Sequence, residues 1–182
     1  YMPQKALTEE VWQRMRDENP KWSATAGGHV ISSDNYLKFL VTELKPFIDE
    51  NYPTLKGSAD TFVIGSSMGG LISAYAIAEY PDVFGGAACM STDWTIGEGV
   101  VAQWFNNHWP APGRNRIYFD YGTETMDAHY EPYHKQMDEV MRKYGYTESQ
   151  DWMTRRFEGA DHSPKSWKAR LHVPLKFLLG GS

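Results

Sequence analysis

The sequence predicts one α/β domain over residues 1–182, built on a mostly parallel sheet flanked by helices. Three observations lead there. Short runs that are apolar at nearly every position read as strands buried on both faces, which is the habit of parallel sheets. Those runs alternate with stretches of helical periodicity, the pattern of βαβ units with right-handed crossovers. A chain of 182 residues and 20.8 kDa matches a single domain, able to bury about 70% of its extended surface.

The elements follow in order. Residues 1–33 are irregular, broken by Pro3, Pro20, Gly27 and Gly28, with one short helical piece around Leu7–Met15. From Asp34 to Tyr52, Leu37, Leu40, Val41, Leu44 and Ile48 recur at three- and four-residue steps and predict a helix. Ser32, Ser33 and Asp34 offer caps at its start, Pro46 should kink it or tighten its last turns, and Asn51-Tyr52-Pro53 ends it. Thr61–Gly65 reads as a buried strand, Leu71–Tyr80 as an alanine-rich helix stopped by Pro81, and Val83–Met90 as a second buried strand. Residues 92–114 form a loop-rich segment with Trp94, Trp104, Phe105, His108 and Trp109. Arg116–Tyr121 is a third strand, and a helix runs from about Ala128 to Lys143. Trp152–Phe157 is an amphipathic fourth strand, expected near a sheet edge, and Ser163–Leu179 is a closing helix with Pro164 in its first turn.

Composition removes several classes. The hydrophobic fraction of 41% and charged fraction of 23% are those of a globular protein. No apolar run approaches the roughly 18 residues of a spanning helix, so no membrane partner is expected. A net charge of −5 gives no electrostatic case for nucleic acid. The single cysteine, Cys89, excludes a disulfide framework and a cysteine-based zinc site. Tyr1 is not an initiator methionine, so the compartment stays open.

Gly65-Ser66-Ser67-Met68-Gly69 is G-x-S-x-G between a buried strand and a helix, the setting of a nucleophile elbow. Such a turn is sharp enough that bulky neighbours of the serine would clash. It would lift Ser67 Oγ above the strand ends and set the Met68 N–H at a helix N-terminus as an oxyanion donor. A packing turn is the plainer alternative. A phosphate loop fits less well, because Leu71-Ile72 stand where Lys-Ser/Thr belongs.

A serine hydroxyl needs a base, and in this arrangement the order is Ser, acid, His. His29 precedes the serine, His108 lies in the aromatic segment, His129 and His134 belong to the following helix, and His172 lies within the last helix. Only His162, in Glu158-Gly-Ala-Asp-His162, sits on a loop between the last strand and the last helix. The orienting acid should follow the third strand, where Glu124 and Asp127 compete on near-equal terms. Asp161 adjoins His162 in sequence, and loop neighbours seldom face each other. Glu131 and His134 make an E-x-x-H, but one copy is too few for a di-iron bundle, so a solvated helix face is expected. Trp94 and Trp109 are candidate substrate-binding residues, lining an acyl or sugar pocket, with coverage of the sheet edge as the alternative.

The chain resembles the Putative esterase family of the α/β-hydrolases, the group with esterase D, enterochelin esterase and feruloyl and acetyl-xylan esterases. The resemblance lies in Leu44–Tyr52, Val63–Leu71 (VIGSSMGGL), Pro81–Phe84, Tyr118–Thr123, and Glu158–His162 with Trp167 after it. It implies Ser67 as nucleophile and His162 as base. For the acid it favours Asp127, in a G-T-x-x-x-D pattern, with Glu124 as the rival. It implies a serine esterase acting through an acyl-enzyme on a small-molecule ester, with no metal or cofactor. The aromatic segment tilts the substrate toward a carbohydrate-linked or aromatic acyl ester. A non-catalytic binding domain and an acyltransferase using the same residues are the alternatives. The resemblance also implies N-terminal strands and a second oxyanion donor that residues 1–182 do not supply. Thr61–Gly65 would then be an open apolar edge, and another segment or chain is expected to complete the sheet.

Overall fold

The computed structural model describes residues 1–18, 31–113 and 115–180. Pro20, Gly27, Gly28 and His29 lie outside the described residues. The strands are β1 (Phe62–Ser66), β2 (Gly86–Met90), β3 (Arg116–Gly122) and β4 (Trp152–Phe157). They form one sheet in the order β1-β2-β3-β4, and every pairing is parallel.

The helices are α1 (Glu9–Glu18), α2 (Ser33–Phe39), α3 (Lys45–Asn51), α4 (Met68–Glu79), α5 (Val100–Phe105), α6 (Glu131–Lys143), α7 (Pro164–Arg170) and α8 (His172–Leu179). Among the described residues no helix is long and apolar enough to cross a membrane. A π-turn, Leu40–Leu44, joins α2 to α3, with the Lys45 N–H donating to Leu40 O. Pro46 follows at once, with no N–H to offer and a ring that crowds the preceding turn, so the widened turn has a local cause. The expected single closing helix breaks at Leu171 into α7 and α8.

Period-2 alternation divides the core into two layers. Ala87, Cys89, Ile117 and Phe119 face one layer, with Leu71, Tyr75 and Ile77 of α4, Phe105 of α5 and Met137 and Met141 of α6. Ala88, Met90 and Tyr118 face the other, with Leu178 of α8. β2, between the two layers, consists of Gly86, Ala87, Ala88, Cys89 and Met90, all buried. β1 is less covered. Among the described residues it has a neighbour on one side only, and Ile64 is 42% exposed. A groove of about 370 Å³ runs along this edge, lined by Phe62, Val63, Ile64, Leu40 and Ile72 among others.

Trp94 and Trp109 are placed in the core, at 0% and 3% exposure, not on a substrate pocket. Trp94 meets the edges of Phe105 and Phe119, and Trp109 packs on Phe105. Their segment covers a face of the sheet, and the indoles are part of what fills that layer. His134 also departs from the solvated helix face expected for it. It is buried, stacked on Tyr121 at 4.5 Å between ring centroids, and neither ring nitrogen has a hydrogen-bond partner among the described residues. Glu131, one turn away, instead pairs with Lys135.

The turn from β1 to α4 depends on one glycine more than the other. A Cβ on Gly65 would stand 2.2 Å from Gly69 O, whereas a Cβ on Gly69 would meet nothing within 4 Å. Gly65→Ala should therefore cost about 2 kcal/mol or more, as overpacking against backbone does. Gly69→Ala should change stability by less than about 1 kcal/mol, toward the stable side, because alanine is the better helix former. Urea midpoints of the two variants check this; equal losses would contradict it.

His134 generates a pH prediction. Burial lowers its pKa from 6.5 to about 3, so the unfolded chain binds one more proton within that window. Stability contributed by the neutral ring is present above pH 6.5 and is lost as pH falls below it. Between roughly pH 4 and 6 this one group should contribute a slope of about 1.4 kcal/mol per pH unit. Denaturant titrations across that range should give His134→Phe a slope shallower by close to one proton.

Candidate active site

All four strands run the same way, so the chain leaves each of them at the same rim. Register aligns Ser66, Met90 and Asp120 across β1 to β3, and Gly122 with Phe157 across β3 and β4. One polar residue of interest follows each strand end: Ser67 after β1, Ser91 after β2, Asp127 after β3 and His162 after β4. Open α/β sheets bind ligands beyond these carboxyl ends.

Ser67 occupies a sharp turn. Its φ of 57° and ψ of −123° lie outside the regions favoured by residues with a Cβ. The backbone is held on both sides: the Ser67 N–H donates to Met90 O at 2.9 Å, and Ser67 O accepts from Gly70 N–H at 2.9 Å. Gly70 is also constrained, since a Cβ there would lie 2.2 Å from Thr92 Oγ1. Met68 is the first residue of α4, so its N–H has no partner inside the helix. That N–H stands at the positive end of the helix dipole.

His162 arrives from the other side of the rim because the loops after β3 and β4 are bonded together. The N–H groups of Thr123 and Glu124 both donate to Ala160 O at 3.0 Å. The Gly159 N–H donates to Thr123 Oγ1 at 2.8 Å, and the His162 N–H donates to Thr125 Oγ1 at 2.9 Å. Gly122 is required at this crossing, since a Cβ on it would sit 2.1 Å from Ala160 O. Two aromatic rings meet the imidazole roughly at right angles, Tyr130 at 5.8 Å and Trp167 at 5.1 Å.

These loops bring Ser67, His162 and Asp127 into one hydrogen-bonded series. His162 Nδ1 lies 2.6 Å from Asp127 Oδ1, and His162 Nε2 lies 2.9 Å from Ser67 Oγ. Asp127 is buried, while 11% of the His162 side chain is exposed. Burial alone would raise the Asp127 carboxyl, but hydrogen bonds from His162, Ser91 and the Gly122 N–H together hold it below the ordinary carboxylate value. An ionised carboxylate only accepts, so Nδ1 carries the proton and Nε2 is left to accept from the serine hydroxyl. Glu124 is exposed on the same loop and its side chain makes no bond to His162. Asp161 turns away, accepting from the hydroxyls of Ser163 and Ser166. His108 stacks on Trp104, while His129 and His172 are exposed. Among the described residues, no group of three or more His, Cys, Asp or Glu side chains converges as a metal site would.

Behind the series lies a polar cluster that sequence reasoning did not single out as a site. Asp127 Oδ2 accepts from Ser91 Oγ at 2.5 Å and from the Gly122 N–H at 2.7 Å. Arg170 Nη2 and Nε reach the two oxygens of Asp120 at 3.0 and 3.2 Å. Burial pushes the Asp120 carboxyl upward, and Arg170 opposes that push. One signal was available in the chain: Asp120 is a carboxylate inside an otherwise apolar strand, and a charge buried there needs a partner.

A match to the Putative esterase family spans residues 8–178. Uncharacterized protein YbbA of Bacillus subtilis is 28% identical over 159 residues, covering 80% of this chain and 60% of that protein. The chain thus spans about three fifths of the curated relative it matches. Among solved structures, the enterobactin esterase of Shigella flexneri aligns with a TM-score of 0.66 at 18% identity, over 81% of this chain and 38% of that one. The ferulic acid esterase of the anaerobic fungus Anaeromyces mucronatus aligns at 0.62 and 22% identity, over 76% and 51%. At such identities the structural likeness speaks for the fold, which is that of the α/β-hydrolase esterases. The family match covers nearly the whole of the chain, and the chain belongs to the Putative esterase family.

Proposed function

We propose that this chain carries the catalytic machinery of a serine esterase, with Ser67 as nucleophile, His162 as general base and Asp127 as the orienting acid. One observation supports this above the others: Nε2 lies 2.9 Å from Ser67 Oγ while Nδ1 lies 2.6 Å from a buried carboxylate. Family membership points to ester hydrolysis from an independent direction.

The steps follow from the protonation states. Ser67 Oγ attacks the ester carbonyl carbon as its proton passes to His162 Nε2. The charge that develops on the imidazolium faces Asp127, which stays ionised. The carbonyl oxygen becomes an oxyanion, stabilised by the Met68 N–H at the start of α4. His162 returns its proton to the departing alcohol, leaving an acyl-Ser67. Water, deprotonated by the same nitrogen, then attacks the acyl carbon, and the acid leaves as Ser67 regains its proton. No redox partner is needed to balance these steps. The substrate class we propose is a small carboxylic ester. With Trp94 and Trp109 packed into the core, the aromatic segment no longer argues for a carbohydrate-linked or aromatic acyl group.

The open edge of β1 supports a second proposal, that another segment or chain pairs along it. Phe62–Ser66 has strand hydrogen-bonding capacity on its free side and an apolar face beside it, which proteins rarely leave bare. If the chain alone proves monomeric and cooperatively folded, with β1 amides freely exchanging, that pairing is wrong.

Hydrolysis of a short p-nitrophenyl ester tests the main reading. Ser67→Ala should lower kcat by a factor on the order of 10⁴ or more; a rate equal to that of the unmodified protein would sink the assignment. Asp127→Asn keeps the shape and gives His162 the wrong partner, and should cost about 10³- to 10⁴-fold. Glu124→Gln should leave kcat within about twofold, as expected for an exposed side chain away from the series. A collapse of turnover in Glu124→Gln alone would reassign the acid.

A further inference from the structure

Ser91 is 0% exposed and follows directly on β2. Its hydroxyl has a fully determined hydrogen-bond geometry. Arg170 Nη2 donates to Ser91 Oγ at 2.7 Å, and Trp167 Nε1 donates to it at 3.0 Å. Neither of those groups can accept, so they take the oxygen's two lone pairs. The single hydroxyl proton is left for the nearest acceptor, Asp127 Oδ2 at 2.5 Å. Arg170 is itself anchored by both oxygens of Asp120, and Tyr118 Oη donates to the same carboxylate at 3.1 Å. The Ser91 N–H points to Asp120 Oδ1 as well, at 3.0 Å. The Arg170 guanidinium also lies 3.9 Å from Asp127, so it acts on that carboxylate through space as well as through the hydroxyl between them.

The backbone argues in the same direction. Ser91 has a φ of 40°, in the left-handed region where a residue with a Cβ is strained and glycine is not. A position chosen for its backbone alone would be better served by glycine. A serine that tolerates the strain is there for its oxygen.

We infer that Ser91 is a positioning residue, whose hydroxyl, aimed by Arg170 and Trp167, fixes the Asp127 carboxylate so that its other oxygen meets His162. The inference rests on the Ser67–His162–Asp127 reading above. Ser91 is fully buried behind Asp127, out of reach of a bound substrate. Its loss should therefore act on kcat and leave KM alone.

Two variants separate the hydroxyl from the backbone. Ser91→Ala removes the oxygen and keeps the strain; Ser91→Gly removes both. Each should lower kcat for the p-nitrophenyl ester by about ten- to a hundredfold, the worth of one hydrogen bond to a charged group, with KM within about twofold. The downfield proton resonance of the His162 Nδ1–H, read by NMR on the folded variants, should shift or broaden. If Ser91→Gly works as well as the unmodified protein, the position serves the backbone and the inference fails. It also fails if both variants keep their kcat, or lose activity only through KM. Should neither variant fold, Trp167→Phe carries the test, since it takes one donor from the hydroxyl and keeps a ring beside His162; an unmoved resonance there overturns the inference. An active Ser67→Ala would instead remove the underlying reading, so the two failures are distinguishable.

Discussion

Two carboxylates, Asp120 and Asp127, are buried near the rim of the sheet with a single guanidinium, Arg170, between them. Taking charges out of water is costly, and a buried pair recovers that cost only when its geometry is good and its remaining valences are filled. Here they are filled for both acids, while Arg170 Nη1 is buried without a hydrogen-bond partner among the described residues. Asp120 accepts from Arg170, Tyr118 and the Ser91 N–H; Asp127 accepts from His162, Ser91 and the Gly122 N–H. The cluster ties together the ends of β2 and β3, the loop after β4 and α7. Those are the segments whose relative placement decides whether His162 meets both its neighbours. In formal charge the cluster holds two negatives and one positive. On the proposed reading, the imidazolium formed when His162 takes a proton from Ser67 therefore arises in a site already short of one positive charge. Stabilising that transient cation needs no rearrangement, which is how preorganised electrostatics lower a barrier.

The parallel sheet makes this cluster possible. With consecutive strands as neighbours and all pointing one way, residues far apart in the chain arrive at one rim without long connections. Ser67 and His162 are 95 positions apart, and Ser91 and Arg170 are 79 apart, yet each pair is within hydrogen-bond distance. Glycines are required where backbones cross closely at the rim. Gly65 against Gly69 O, and Gly122 against Ala160 O, leave no space for a methyl group. The two crossings serve opposite halves of the site: the first shapes the turn that presents Ser67, and the second seats the loop that presents His162.

Much of this was legible in the sequence because the chemistry has a fixed order. A G-x-S-x-G between an apolar run and a helix, then an acidic loop, then a lone loop histidine, leaves few arrangements. The four strands were legible for a similar reason, since apolar runs of four to six residues have nowhere else to go. Periodicity and order stop short where contacts are long-range. Nothing in Gly122–Asp127 distinguishes an exposed Glu124 from a buried Asp127, because burial there is decided by the loop after β4. Trp94 and Trp109 read as ligand-lining because an aromatic-rich loop looks the same from sequence whether it faces water or a sheet. His134 sits on a helix with polar neighbours, and only the packing of α6 against β3 and Trp94 turns it inward. Ser91 carries no motif at all; its role depends on an arginine and a tryptophan from the far end of the chain.

The two halves of the site are supported unequally, and this has a consequence for regulation of the chemistry. Asp127 follows β3, buried along nearly its whole length, and His162 follows β4, at the opposite edge of the sheet; the loops that carry them are bonded to each other and to the buried Arg170 cluster. Ser67 follows β1, the other edge strand, where Ile64 is 42% exposed and one side has no neighbour among the described residues. What fixes Ser67 inside this chain is its own N–H bond to Met90 O, the close approach of Gly65 to Gly69, and the seating of Gly70 on Thr92. Anything that pairs along β1 would thus bear directly on the turn at Ser67, while β2 stands between β1 and the strand that leads to Asp127. On the proposed reading Ser67 must stay within about 3 Å of Nε2 to pass its proton, so a displacement of β1 would bear on the serine–histidine contact before it reached the histidine–aspartate one. On the proposed reading, the alignment of the acid and base depends on the buried cluster behind them, and that of the serine on the turn at the end of β1 and on what pairs along that strand.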